Sequence, residues 1–179
     1  MTFNSQQFIL ELETYVQKHL SFAEELNSLP ISTLQMKANQ SSWSVLECME
    51  HLNLYASFYN PEIKKRIDVS KFKTSPIFKS GFLGNKFSLD MLPKKGMKTM
   101  KTFKSKNPIH SDLNKEQVLN SFINHQQELL LLLGSAKNID LTMVKTSLTI
   151  PLLKFRLGDT FRFVIYHNER HIVQAKNIL

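Results

Sequence analysis

The sequence predicts an all-α protein and, more narrowly, a four-helix bundle with a long basic crossover between helices two and three. Apolar residues recur at steps of three and four in four long segments, which is the period of an amphipathic helix. Only five glycines and six prolines occur among 179 residues, so long elements and few turns are expected. No internal repeat relates the segments. These observations favour four helices around one core.

The four helices are predicted at residues 5–29, 44–67, 114–137 and 159–178. Pro30 ends the first of them, since proline lacks the amide that would continue a helix. Ser44 and Glu47 have the spacing of a capping box, in which each side chain accepts the backbone N–H of the other residue. Asn114 and Asp159 are the predicted N-caps of helices three and four.

The charge excess of the chain lies in one segment, residues 71–106. Ten lysines stand there against one acid, Asp90, a net charge of +9 beside +8 for the whole chain. Short helical pieces are expected in residues 77–92, and a short extended piece after the third helix. Three interpretations stay open: a solvated surface, capture of an anionic substrate, and contact with nucleic acid or an anionic membrane. We do not favour nucleic acid, because the interleaved phenylalanines are needed to hold the segment down.

The cellular location can be predicted from what the sequence contains. Cys48 is the only cysteine, so an internal disulfide cannot form, which fits a reducing compartment. The N-terminus has no basic stretch followed by a long apolar one, so no signal peptide is expected. The longest apolar run is five leucines, residues 129–133, whereas a membrane span needs about 20 residues. We therefore expect a cytoplasmic protein without a transmembrane segment.

The C-terminal stretch "HNERHIVQ" places His167 and His171 one helical turn apart, and Gln174 follows on the same side. Two imidazoles at this spacing can bind one metal ion, because their Cβ atoms lie about 5–6 Å apart on a helix. The pair by itself is equally compatible with two ordinary surface histidines. A third ligand would favour the metal, and His51 in the second helix is the candidate. Glu47, one turn before it, is a candidate to orient its ring.

Two motifs carry a resemblance to a known family. "WSVLECMEHL" and "HNERHIVQ" resemble the two signatures of the DinB/YfiT-like superfamily of metal-dependent bacterial proteins. The stretch "GFLGNKFSLDMLPKKGMKTMKTF" between them resembles one branch of that superfamily, so the likeness covers nearly the whole chain. The resemblance implies a single domain over residues 1–179 with four bundled helices.

The resemblance also implies a divalent metal ion. Its ligands would be His51 from the first motif and His167 and His171 from the second, with Glu47 and Gln174 as residues that orient the ligands. Nickel, zinc, iron and manganese all accept imidazole nitrogen, so the sequence does not select among them. Three neutral ligands leave coordination positions open, which is the pattern of a catalytic site.

The function that follows is an expectation of two kinds. The first is an enzyme that activates a thiol or water for transfer or hydrolysis on a small molecule, with a low-molecular-weight thiol as one candidate partner and a second copy of the chain as another. Its catalytic residues stay unassigned. The alternative is a non-catalytic module that the metal stabilises and whose basic loop contacts an anionic partner. The fold does not decide between them, because related proteins on this fold differ in activity.

Overall fold

A computed structural model describes residues 1–94 and 101–179 of the chain. Helices hold 62% of the described residues, in agreement with an all-α protein. The α-helices are α1 (Ser5–Ser28), α2 (Ile31–Leu34), α3 (Val45–Asp68), α4 (Phe82–Met91), α5 (Lys115–Ala136) and α6 (Leu157–Lys176). The strands are β1 (Thr2–Asn4), β2 (Ile77–Lys79), β3 (Lys145–Ser147) and β4 (Lys154–Arg156). Every described helix is too short or too polar to cross a membrane.

The four long helices pack in a cyclic order. α1 contacts α5, α5 contacts α3, α3 contacts α6, and α6 contacts α1. Two clusters of buried apolar side chains fill the space between them. One includes Leu52 of α3 and Ile172 of α6, and the other includes Tyr59 and Ile165 of the same helices. His51 lies beside Leu52 on α3, and His167 and His171 lie between Ile165 and Ile172 on α6, so the packing of the core sets the depth of the three predicted histidines.

The long helices begin and end within two residues of the predicted bounds. The capping box of α3 is present, with Glu47 N donating to Ser44 Oγ over 3.2 Å and Ser44 N donating to Glu47 Oε2 over 2.7 Å. Asn114 caps α5 by accepting the amide of Gln117 over 2.9 Å. These ends were predictable because a cap is a local contact between residues three apart.

The predicted cap of the fourth helix was wrong. α6 begins at Leu157, two residues earlier, and Arg156 occupies the N-cap position because β4 leads directly into the helix. Asp159 lies inside the first turn, and its carboxylate accepts the amide of Gly81 over 2.7 Å and the hydroxyl of Ser80. The side chain therefore stabilises the start of α4 rather than the start of its own helix.

The crossover between α3 and α5 is tied to the rest of the fold. β2 pairs with β1 in antiparallel register, with Phe3 opposite Phe78, and α4 packs on α6. α4 confirms the short helix that was expected in this region, and the β3–β4 hairpin confirms the extended piece after α5. The β1–β2 pair was not predicted, because its strands are three residues each and far apart in sequence. Lys95 and Lys98 of the basic segment lie outside the described residues.

The turn of the β3–β4 hairpin stores backbone strain. Leu152 has φ of 65° and is fully exposed, although a left-handed conformation costs a residue with a Cβ about 1–2 kcal/mol. Asparagine tolerates this conformation better. Leu152→Asn should therefore raise the free energy of unfolding by about 0.5–1 kcal/mol in chemical denaturation. Ile150→Asn, in the same turn but without a positive φ, is the control. An equal gain in both variants would contradict the strain explanation.

Candidate metal centre

Three histidines from two helices meet in the protein interior. α3 supplies His51, and α6 supplies His167 and His171. The Nε2 atom of His167 lies 3.3 Å from Nε2 of His51 and 3.2 Å from Nε2 of His171. The ligand atoms of the three rings all lie within 4.8 Å of one another, close enough to hold one metal ion. The packing of α3 against α6 thus brings the two sequence motifs together.

The separations of the ring nitrogens suit a metal ion. Two nitrogens bound to one tetrahedral zinc ion at about 2.0–2.1 Å lie about 3.3–3.4 Å apart. The contacts of His167 with His51 and His171, at 3.3 and 3.2 Å, are close to that edge length. The donor set of three imidazoles is also one that zinc, nickel, iron and manganese accept. The residues present therefore fit a divalent ion.

The second ring nitrogens fix the direction of the ligand lone pairs. Nδ1 of His51 lies 2.6 Å from the carbonyl oxygen of Lys106, and Nδ1 of His171 lies 3.0 Å from Oε1 of Gln174. Both oxygens are acceptors, so each Nδ1 carries the proton and each Nε2 carries a lone pair. When all three rings are neutral, the Nε2 atoms of His51 and His171 carry no proton, so only Nε2 of His167 can place a hydrogen atom between the three nitrogens. A metal cation would accept the lone pairs of all three.

Burial keeps the three rings neutral. His51, His167 and His171 are 2%, 8% and 9% exposed. Burial lowers the pKa of His51 to about 4, although the hydrogen bond to Lys106 acts in the opposite direction. Burial, together with the neighbouring His51, lowers the pKa of His171 to about 3, and burial lowers the pKa of His167 well below its usual value. Neutral imidazole is the form that binds metal, so the lone pairs are available at neutral pH.

Aromatic rings surround the cluster. The Trp43 ring centroid lies 4.5 Å from that of His51 and 5.5 Å from that of His171. Tyr55 contacts His51 and His167 edge-on, at 5.0 and 4.8 Å between centroids. These rings exclude water from the ligands and lower the local dielectric constant. Sequence reasoning assigned neither Trp43 nor Tyr55 to the site, although the position of Tyr55, one turn after His51, was a signal for its role.

Glu47 does not point to the ring for which it was proposed. Its carboxylate accepts Lys37 Nζ over 2.6 Å and His110 N over 2.8 Å on one oxygen, and Ser44 N over 2.7 Å on the other. Its role in the capping box turns the carboxylate towards the helix start, so its hydrogen-bond partners are Ser44, Lys37 and His110 rather than the His51 ring. The Lys106 carbonyl takes the place on Nδ1 instead.

The remaining histidines and the cysteine lie outside the cluster. His19 is fully buried, and its Nε2 lies 3.0 Å from Oε2 of Glu169, a pair that sequence reasoning did not find. The His125 side chain is 24% exposed, and the neighbouring Gln126 takes the buried position on α5. Burial raises the pKa of the Cys48 thiol to about 12, so this residue serves packing.

The lowered histidine pKa values predict how the metal-free protein responds to pH. The unfolded chain gains protons near pH 6.5, whereas the folded cluster stays neutral until about pH 4. The unfolded state therefore binds more protons in this window, and stability falls as pH falls. We expect the free energy of unfolding to drop as the pH falls from 6.5 to 5. For each histidine the slope approaches about 1.4 kcal/mol per pH unit once that residue is fully protonated in the unfolded state. Denaturant titrations should show it, with a smaller slope in His51→Gln. A slope that His51→Gln leaves unchanged would contradict the burial of a neutral ring.

Comparison with known proteins agrees with the geometry. A family model described as the DinB superfamily matches residues 17–175, which is most of the chain and includes all three histidines. No curated protein and no solved structure matches the chain at a significant level. The match covers both motifs and the segment between them. The chain belongs to the DinB superfamily.

Proposed function

We propose that this protein is a metal-dependent enzyme that acts on a small molecule. One divalent ion, nickel, zinc, iron or manganese, would be held by His51, His167 and His171. The observation that carries the proposal is the convergence of three buried Nε2 atoms, two of which belong to rings whose Nδ1 already has a hydrogen-bond partner, His51 and His171. Three neutral ligands are the set found where coordination positions stay open for water or substrate. The reaction class we propose is transfer of a thiol or hydrolysis.

Different residues of the chain would have different roles at such a site. A bound divalent ion would supply a Lewis acid that lowers the pKa of a coordinated thiol or water. The Lys106 carbonyl and Gln174 hold the ring tautomers of His51 and His171. Trp43 and Tyr55 shield the ligands. A reacting thiol would belong to a cosubstrate, because Cys48 is buried and its pKa is raised. No residue is assigned as catalytic.

The basic crossover supports an anionic substrate. Its Lys106 end lies against the site, with the carbonyl on His51 and the ammonium donating to the carbonyl oxygen of Leu54. A lysine-rich segment that ends at the metal ligands can raise the local concentration of a carboxylate- or phosphate-bearing molecule. We interpret the cyclic helix packing as a four-helix bundle in one domain with this segment as its crossover. A cytoplasmic location is part of the same proposal and rests on the single cysteine.

A second candidate is a non-catalytic module in which the metal only stabilises the bundle. Each of the three cluster histidines is at least 91% buried, which favours this second candidate. Two surface depressions lie away from the cluster, one of about 420 Å³ lined by Met1 and residues within 80–94, and one of about 360 Å³ lined by residues of α1 and α6 around His19. In this case the basic loop would contact an anionic partner.

The accessibility of the metal separates the two candidates. In the cobalt-substituted protein, an open coordination position should let imidazole or a small thiol change the visible absorption spectrum. The enzyme proposal predicts such a change, with saturation at one ligand per ion. A spectrum that no small ligand perturbs favours the sealed, structural ion.

Activity screens follow the same division. The metal-loaded protein would be assayed with several low-molecular-weight thiols and a generic electrophile, and separately with a panel of esters and amides. Turnover that depends on the metal and is absent from a folded His51→Ala variant supports the enzyme. Equal inactivity of the wild type and His51→Ala in both screens would move the assignment to the non-catalytic module.

A further inference from the structure

The geometry points to Glu47 as a positioning residue of the metal centre that acts through the backbone of another segment. Residues 106–110, named here the clamp segment, lie across the first turns of α3. Glu47 holds one end of this segment, and the other end holds the ring of His51. The expected effect on metal affinity rests on the proposed metal site, whereas the expected change in structure concerns the metal-free protein.

The clamp segment reaches His51 through a main-chain group. The Lys106 carbonyl oxygen lies 2.6 Å from Nδ1 of the ring, a short contact for a neutral hydrogen bond. The side chain of Lys106 is fixed as well, because its ammonium donates to the Leu54 carbonyl and lies 5.7 Å from the centroid of the Tyr55 ring. A carbonyl cannot be removed by substitution, so its position depends on the contacts that hold the segment.

Glu47 supplies the contact at the far end of the clamp segment. Its Oε1 accepts the amide of His110 over 2.8 Å, and Lys37 donates to the same oxygen over 2.6 Å. The Glu47 side chain is 4% exposed, so this bond is shielded from water. Burial acts to raise the pKa of Glu47, but the hydrogen bonds from Lys37, Ser44 and His110 outweigh it and lower the pKa. The carboxylate therefore stays ionised as an acceptor.

The middle of the clamp segment is fixed as well. Asn107 Oδ1 accepts Trp43 Nε1 over 3.0 Å and the amide of Ile109 over 3.2 Å, and Pro108 is buried. Trp43 in turn packs on the His51 ring. The segment is thus attached to the elements around the metal ligands at each of its ends and at its centre.

The backbone of the clamp segment departs from its preferred conformation where Glu47 binds it. His110 has φ of 63°, in the left-handed region that a histidine adopts at a cost. Such a conformation persists only where surrounding contacts impose it. The hydrogen bond from the His110 amide to Glu47 is the contact at that residue. Loss of the carboxylate should let the turn relax and move the Lys106 carbonyl away from His51.

Two variants separate positioning from helix capping. Glu47→Ala removes both carboxylate oxygens, and with them the contact to His110. Ser44→Ala removes the other half of the same capping box, the hydroxyl that accepts the Glu47 amide, and leaves the carboxylate in place. It should lower the melting temperature by about 2–4 °C, the effect of a lost N-cap in a chain of this size. Lys37→Met is a third variant, which removes only the ion pair.

Zinc titration against a competing chelator measures the effect on affinity. Loss of a partner that orients a ligand typically weakens metal binding 10–100-fold, and we expect about that loss in Glu47→Ala. Ser44→Ala and Lys37→Met should stay within about threefold of the wild type. Equal losses in Glu47→Ala and Ser44→Ala would show that only the stability of α3 matters, and would overturn the inference. If Glu47→Ala does not fold, Glu47→Met, which has a side chain of similar length and no acceptor oxygen for the His110 amide, decides by the same comparison.

A spectroscopic measurement decides independently of metal. In the metal-free protein, nitrogen-15 NMR should show a protected Nδ1–H on His51 and slow exchange of the His110 amide in the wild type and in Ser44→Ala. Both signals should be lost in Glu47→Ala. Their persistence there would overturn the inference. If the wild type bound no zinc but Glu47→Ala still lost both signals, the proposed metal function would fail and the positioning role of Glu47 would stand.

Discussion

Replacement of His167 by Ala is expected to abolish stoichiometric metal binding. Its Nε2 lies between those of His51 and His171, within 3.3 Å of each, so its removal takes the central ligand from the set. The two remaining nitrogens would leave a divalent ion with too few protein ligands for a catalytic site. The affinity should fall by well over the 10–100-fold that the loss of an orienting residue causes. Chelator competition in the purified variant measures it.

A histidine outside the cluster is the matched control. His125→Ala removes a partly exposed imidazole from α5, where its Nδ1 lies 3.9 Å from Glu128, and should leave metal affinity unchanged. His171→Ala should resemble His167→Ala. If the metal content of His167→Ala equalled that of the wild type, the ion would be bound elsewhere and the assigned site would be wrong.

Gly84→Ala is expected to be among the most destabilising single-methyl changes in the fold. A Cβ at residue 84 would lie 2.5–2.6 Å from the side-chain atoms of Asp159. That side chain is fully buried and accepts the Gly81 amide and the Ser80 hydroxyl, so it cannot move without leaving polar groups unpaired. Overpacking together with the lost hydrogen bonds should lower the free energy of unfolding by about 2–4 kcal/mol.

A second glycine to alanine change tests the reason for this loss. Gly134 also lies in a helix, α5, but no atom lies within 4 Å of the Cβ that an alanine would add there. Gly134→Ala should therefore stabilise the protein by roughly 0.5–1 kcal/mol, the usual gain from alanine in a helix. Denaturant unfolding of both variants gives the comparison. A loss in Gly134→Ala as large as in Gly84→Ala would mean that steric overlap with Asp159 is not the cause.

The parts of the fold that the sequence predicts are those with local causes. The period of apolar residues located α1, α3, α5 and α6, and the cap at Ser44 fixed the start of α3 to one residue. The two histidines of α6 could be placed on one face because i and i+4 side chains are neighbours on any helix. Their convergence with His51 needed the two motifs to be considered together, since no local rule relates α3 to α6.

The parts that could not be predicted depend on contacts between distant residues. Aspartate is a preferred N-cap residue, but the hydrogen-bond partners of Asp159 are Ser80 and Gly81, which belong to another part of the chain. The orientation of His51 comes from the main chain of Lys106, and a carbonyl group leaves no signature in a sequence. The same holds for the β1–β2 pairing, in which three-residue strands give too short a pattern to detect.

The most direct test of the metal centre is the metal content of protein purified without a polyhistidine tag, combined with X-ray absorption at the edge of the metal found. We predict one divalent ion per chain, with three imidazole nitrogens among its ligands, and fewer imidazoles with much less metal in the His51, His167 and His171 single variants. Wild-type protein that gains no stoichiometric ion from nickel, zinc, iron or manganese would contradict the site. So would an ion whose amount and ligands the three substitutions leave unchanged.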